Sequence, residues 1–239
     1  DRSSAASDVY KRQYVYRGVA GIESGRHEQG LADLLAAERR HSGDAYLQYH
    51  LAMAKLELGR MSEAVAHLEA SRTIRPGNPD VHYNLGVLRL QQGMRGSDRK
   101  ALVDAGEHFR MAIERDRSHA HAVCMLGEVE RQLGRTGPAI EMFRRSLSLD
   151  GSSPEAHHGL SLALREAGEF GEANRALAVA VYHALVEVRA GSGSRDRGPN
   201  RRWTGPRNWS NARNGRIRRG ENCWAWLMRQ PASGPGRSP

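Results

Sequence analysis

Residues 45–79 read AYLQYHLAMAKLELGRMSEAVAHLEASRTIRPGNP, and this stretch decides the fold. Leu47, Leu51, Ala54 and Leu58 fall at three- and four-residue steps, which trace one face of a helix. Gly59 then offers the left-handed backbone that ends a helix without steric cost. Ser62 is placed to cap a second helix. Ala64, Leu68 and Ile74 form the face that looks back onto the first. Pro76-Gly77-Asn78-Pro79 closes the unit, because proline disfavours helix in the residue before it. The expectation is two helices joined by a tight turn.

The same unit recurs along the chain. Gly25, Gly59, Gly93, Gly134 and Gly168 are separated by 34, 34, 41 and 34 residues. Leu51, Leu85, Leu126 and Leu160 each precede a glycine by eight. Ala64, Ala139 and Ala173 each follow one by five, and Ala105 would do so but for an insertion. A period near 34 with small residues at fixed phase marks stacked helix–turn–helix repeats. Such a hairpin cannot bury its apolar face alone, so it must stack on its neighbours along one continuous apolar seam. Five units are predicted: 11–44, 45–78, 79–119, 120–153 and 154–188, each made of a helix A, a turn and a helix B. The third is seven residues longer than the rest, with the excess between Gly93 and Ala105. That excess predicts a longer helix B or a looser A–B loop, with a binding loop as the alternative.

These motifs resemble the tetratricopeptide repeat family. Unit three carries Leu85-Gly86, Gly93, Ala105, Phe109 and Ala112 at the family positions. Unit four carries Leu126-Gly127, Gly134, Ala139 and Phe143, and unit two Leu51-Ala52, Gly59, Ala64, Leu68 and Pro76. Unit five carries Leu160-Ser161, Gly168, Ala173, Leu177 and Ala180. Unit one is in phase but degenerate, with Gly30 where alanine is expected. The resemblance implies an all-α, right-handed solenoid over residues 11–188. It also implies a non-catalytic scaffold or adaptor that binds a peptide or partner helix in the concave groove lined by the A helices.

At the groove-facing steps the sequence offers Tyr46, Tyr49 and Met53, then Asp80, Tyr83, Asn84 and Val87. Unit four adds His121, Cys124, Glu128 and Arg131, and unit five Glu155, His158, Leu162 and Arg165. Tyrosines give large contact area at modest entropic cost. The expected ligand is an apolar, aromatic peptide with basic character near Glu128 and Glu155. Some relatives clamp a terminal carboxylate with lysine and asparagine. Here the matching steps hold Tyr49, Met53, Tyr83, Val87, Cys124 and Glu128, and the chain has only Lys11, Lys55 and Lys100, which argues against that mode.

The charge is uneven. Residues 189–239 carry twelve arginines against Asp196 and Glu221, a net of +10. The whole chain is +9, so residues 1–188 carry −1 and give no electrostatic reason to bind nucleic acid. The Arg/Gly/Pro/Ser-rich composition of 189–239 predicts disorder. Its four tryptophans, Trp203, Trp209, Trp224 and Trp226, fit disorder badly. Three explanations stand open: a solvated tail, an RNA-binding segment in which arginine meets phosphate and tryptophan stacks on bases, or a GC-rich gene read out of frame. Residues 1–10 are polar and without period, and Asp8–Gln13 resembles translated adapter DNA. They are expected to be disordered or foreign.

No stretch is apolar enough for a membrane span, and no signal-peptide pattern opens the chain at Asp1. Two cysteines make no disulfide framework and favour a reducing compartment, the cytoplasm. His119, His121 and Cys124 lack a fourth partner at ligand spacing, and adjacent His157 and His158 point different ways, so no metal site is expected. No phosphate loop, nucleophile motif or cofactor signature appears, so no catalysis is expected. Ala173–Val188 has apolar residues on more than one face, which predicts self-association or a further repeat. The repeats could also be the recognition arm of a larger enzyme or sensor.

Overall fold

The computed structural model describes residues 2–39 and 43–192. Among these lie ten helices and no strand. They are α1 (Arg2–Glu23), α2 (His27–Glu38), α3 (Ala45–Glu57), α4 (Met61–Ile74), α5 (Pro79–Gly96), α6 (Arg99–Arg115), α7 (Ala120–Gln132), α8 (Thr136–Leu149), α9 (Pro154–Glu166) and α10 (Phe170–Ser192). Odd and even helices pair as five hairpins, and each hairpin packs on the next. Residues 2–10, set apart in the sequence, continue α1, and α10 runs four residues past 188. The expectations for the basic segment concern, beyond Ser192, residues outside those described.

In the second and fourth hairpins the two helices begin differently, whereas in the third both are capped by a side chain, Asp98 accepting from Lys100 and Ala101 N–H at the start of α6. The first helices α3, α5, α7 and α9 have side-chain caps that receive the orphan amides of the first turn. Asp44 accepts from Tyr46 and Leu47 N–H, Asn78 from Asp80, His119 Nδ1 from Ala122, and Ser153 from Ala156. Pro79 and Pro154 then stand at the first helical position, where a missing N–H costs nothing. The second helices α2, α4 and α8 follow Arg26, Arg60 and Arg135, none of which caps through its side chain. The turn is closed by backbone instead: Arg60 N–H donates to Lys55 O at 2.8 Å, and Arg135 N–H to Glu130 O at 2.9 Å. Ser62 is therefore already inside α4 and caps nothing, contrary to its sequence expectation.

The third hairpin lengthens both of its helices rather than one helix or a loop. Gly93, in phase with the turn glycines, sits inside α5, buried where a Cβ would meet Leu102 at 2.7 Å. The left-handed turn residue is Ser97, at φ 49°. The projecting end of this hairpin is therefore helical.

The core divides where one seam was expected. One cluster joins the first hairpin to α3 through Val15, Leu31, Leu34, Leu47 and Leu51. A second joins α3, α4 and α5 through Leu56, Leu68, Val81 and Leu85. The third runs from α5 to α10 around Phe109, Phe143, Val123 and Leu164. Helices α3 and α5 each bury two faces, one in each neighbouring cluster, and their backbones separate the clusters. Ile74, expected to face inward, is 44% exposed at the end of α4. Aromatic rings key the hairpins together. Phe109 lies against Gly86, and Phe143 against Gly127 of its own hairpin and Gly159 of the next. Ser71 and Ser146 hydroxyls donate to Ala45 O and Ala120 O, tying the end of each second helix to the start of its partner.

Candidate functional site

Helices α5 and α7 touch, as do α7 and α9 and, at the other end, α1 and α3, whereas the second helices of successive hairpins make less contact with one another. The first helices of the third to fifth hairpins therefore lie on the inner side of the stack, and α3 is linked to α5 by the Asn84–Tyr49 hydrogen bond. Their exposed side chains form the candidate surface.

Its aromatic part spans three hairpins. Tyr46 is 36% exposed, and its ring meets His50 edge-on at 4.2 Å between centroids. His50 in turn meets Tyr49 at 5.3 Å. The Tyr49 hydroxyl accepts from Asn84 Nδ2 at 3.5 Å, and the same amide donates to Asp80 O at 2.8 Å. The exposed Asp80 carboxylate lies 3.8 Å from His119 Nε2. The His119 ring lies 5.0 Å from that of Tyr83, which packs in turn on Phe109 at 5.9 Å. Met53 is half-buried beside Tyr49 against the second cluster. Burial governs the ionisation here. It raises the Tyr49 phenol, pushes Tyr46 up to about 12, and pushes His50 down to about 4. His119 is likewise lowered, mainly by burial. At neutral pH these rings are uncharged.

The fourth and fifth hairpins differ from expectation. Glu128 is 1% exposed. Its oxygens accept from Arg131 Nε and Nη2 at 3.0 and 2.7 Å, and from Gln132 Nε2 at 2.7 Å. Arg131 Nη1 also reaches Glu166 at 2.6 Å. A carboxylate taken out of water needs such partners, and one turn of helix supplies them. Glu128 is thus engaged within the protein and does not present charge to a basic ligand. Val87 and Cys124, each 3% exposed, belong to the core and not to the groove. His121 is partly buried at the start of α7. Glu155 accepts from Ser153 Oγ at 3.0 Å and remains partly exposed. His158, half-buried near Glu128 and Arg131, is lowered mainly by burial. Leu162 and Arg165, with Glu166 and Phe170, line a shallow recess of about 350 Å³.

The structure therefore joins Tyr46, Tyr49, Asp80, Tyr83 and Asn84 in one group, and Glu128, Arg131 and His158 in a second. His50, Gln132 and Glu166 escaped the sequence. The first follows Tyr46 by four residues on a helix, and that spacing could have found it. Among the described residues no group of three or more His, Cys, Asp or Glu is arranged to hold a metal ion. His119 spends Nδ1 on its helix cap, and His157 stacks on His183 at 5.7 Å. No helix among the described residues is long and apolar enough to cross a membrane.

Comparison with known proteins gives the same architecture. The family model "tetratricopeptide repeat" matches residues 17–79 and 124–194. Solved structures of MamA are similar in fold. MamA 41-end from Desulfovibrio magneticus RS-1 is 18% identical, covers 79% of this chain and 98% of its own, and superposes with a TM-score of 0.60. MamA AMB-1 is 22% identical, with 73% and 92% covered and a TM-score of 0.58. A further MamA crystal structure is 17% identical, with 72% and 96% covered and a TM-score of 0.59. A search of curated proteins finds no match.

Proposed function

The chain belongs to the tetratricopeptide repeat family, whose members bind proteins and peptides, and from that premise we propose that it is a non-catalytic scaffold gripping an extended peptide or partner helix along the inner faces of α3, α5 and α7. One observation supports this most: the run Tyr46–His50–Tyr49–Asn84–Asp80–His119–Tyr83 crosses three hairpins as a nearly unbroken strip of rings and polar groups. Uncharged rings accept apolar and aromatic side chains at low entropic cost. The exposed Asp80 carboxylate receives a basic or N–H group of the ligand, a role Glu128 cannot take. Glu155 offers a second carboxylate further along.

A displayed library of random peptides, selected against the full chain, supplies ligands for the test. Tyr46→Ala with Asp80→Asn should weaken the selected peptides at least tenfold, as loss of an interface anchor does. Both side chains reach solvent, so the helical signal should stay unchanged. Unaltered affinity in this variant would overturn the proposal. Tyr49→Ala with Tyr83→Ala is a poorer test, since both rings also pack on the core.

A further inference from the structure

We infer that α10 pairs with α10 of a second copy of this chain about a twofold axis, through a surface separate from the groove. The internal seams show what α10 lacks. Leu177 follows Ala173 by four residues, as Phe109 follows Ala105 and Phe143 follows Ala139. Both phenylalanines are 0% exposed. Phe143 is closed on its far side by the next hairpin, where a Cβ on Gly159 would lie 2.3 Å from its ring. Leu177 has no such neighbour and is 36% exposed. Val181 stands where Ile113 and Leu147 pack in the core, yet it is 51% exposed. Leu185, 64% exposed, extends that stripe, and Val179, Tyr182 and Val186 form another beside it. Ala173, Ala176 and Ala180 fill the remaining side against the fifth hairpin. A helix apolar on nearly every side is a buried helix.

The two ends of the stack decide the occupant. Where α9 offers Gly159 and Leu160 to the preceding hairpin, α1 carries Tyr16 and Arg17. Tyr16 is 55% exposed, and Arg17 is held in a fork by Asp33 at 2.7 and 2.5 Å. A ring and a paired charge stand where a glycine and a leucine would be needed, so a second copy cannot continue the stack head to tail. The exposed stripe Leu177, Val181 and Leu185 is evenly spaced about Val181, so it matches itself when reversed and a second α10 fits it. Antiparallel pairing centred on Val181 sets Leu177 of one copy near Leu185 of the other. Twofold pairing uses the patch up, so assembly stops at the dimer. The exposed apolar side chains of the two stripes lie between Leu177 and Val186. At about 1.5 Å per residue they span roughly 15 Å, so the face they form is well below the roughly 800 Å² per partner of a standard interface. The dimer is therefore weak and reversible.

Sedimentation equilibrium on the full chain tests this, at high salt to screen the arginine-rich segment. The expected result is a monomer–dimer equilibrium that Val181→Glu with Leu185→Glu weakens at least tenfold, with unchanged circular dichroism, and that Tyr16→Glu leaves alone. Should the double variant misfold, Val181→Cys in a Cys223→Ser background gives the second readout, a disulfide between two copies under mild oxidation. A monomer up to several hundred micromolar overturns the inference. So does a dimer indifferent to Val181 and Leu185, a dimer lost with Tyr16→Glu, species that grow without limit, or failure of the Val181→Cys variant to cross-link. Groove binding would survive every one of these outcomes.

Discussion

Single residues set the turns of this protein and the charge of its groove. Gly134 holds φ at 78°, with nothing within 4 Å of where a Cβ would stand. Gly134→Ala should therefore lose only backbone energy, about 1–2 kcal/mol, seen as a lower denaturant midpoint at constant slope. Ser97 at φ 49° is the converse, and Ser97→Gly should raise the midpoint. His50 gives part of the pH dependence, with the partly buried His119 and His158 acting in the same direction. The pKa of His50 is pushed from about 6.5 in the unfolded chain to about 4 by burial. Between those values the unfolded state binds more protons, so stability falls as pH drops from about 6.5 towards 4. Denaturation in buffers across that window should show the decline, and His50→Gln should make it shallower.

At the scale of helices, close approach of backbone to ring joins one hairpin to the next. Gly159→Ala would place a methyl 2.3 Å from the Phe143 ring, whereas Gly137→Ala meets open space. The first should cost about 1–3 kcal/mol and loosen α9 from α8, and the second should be near neutral. Hydrogen exchange at α9 amides reads the difference. This level was the most legible in the sequence, because in the second, fourth and fifth hairpins a turn glycine and an alanine five later fix where helices meet. Depth was not legible. Val87 and Glu128 sit at groove-facing steps, yet both are buried, because period gives the direction of a side chain but not how closely the next hairpin covers it. Arg131, one turn beyond Glu128, carried the clue that this carboxylate is neutralised internally. Ser62 misled because a serine near a helix start matters only if the turn leaves it outside the helix, and the backbone-closed Gly59-Arg60 turn does not.

The whole molecule is a row of units whose stability is the sum of hairpins and seams. The seams are unequal. Helices α4 and α5 meet less closely than the other successive pairs, and only the second, smaller cluster joins them. Under mild denaturant the first two hairpins should therefore exchange their amides before α6–α9 do. Uniform exchange along the row would contradict that division of the core. The row also gives the inner surface its continuity, since three hairpins in register place Tyr46, Asp80, Tyr83 and His119 on one strip. Hydrogen exchange of the full chain with and without a selected peptide tests that surface most directly. Protection confined to α3, α5 and α7 is the predicted result. Protection of α4, α6 and α8, or only of residues beyond α10, would contradict it.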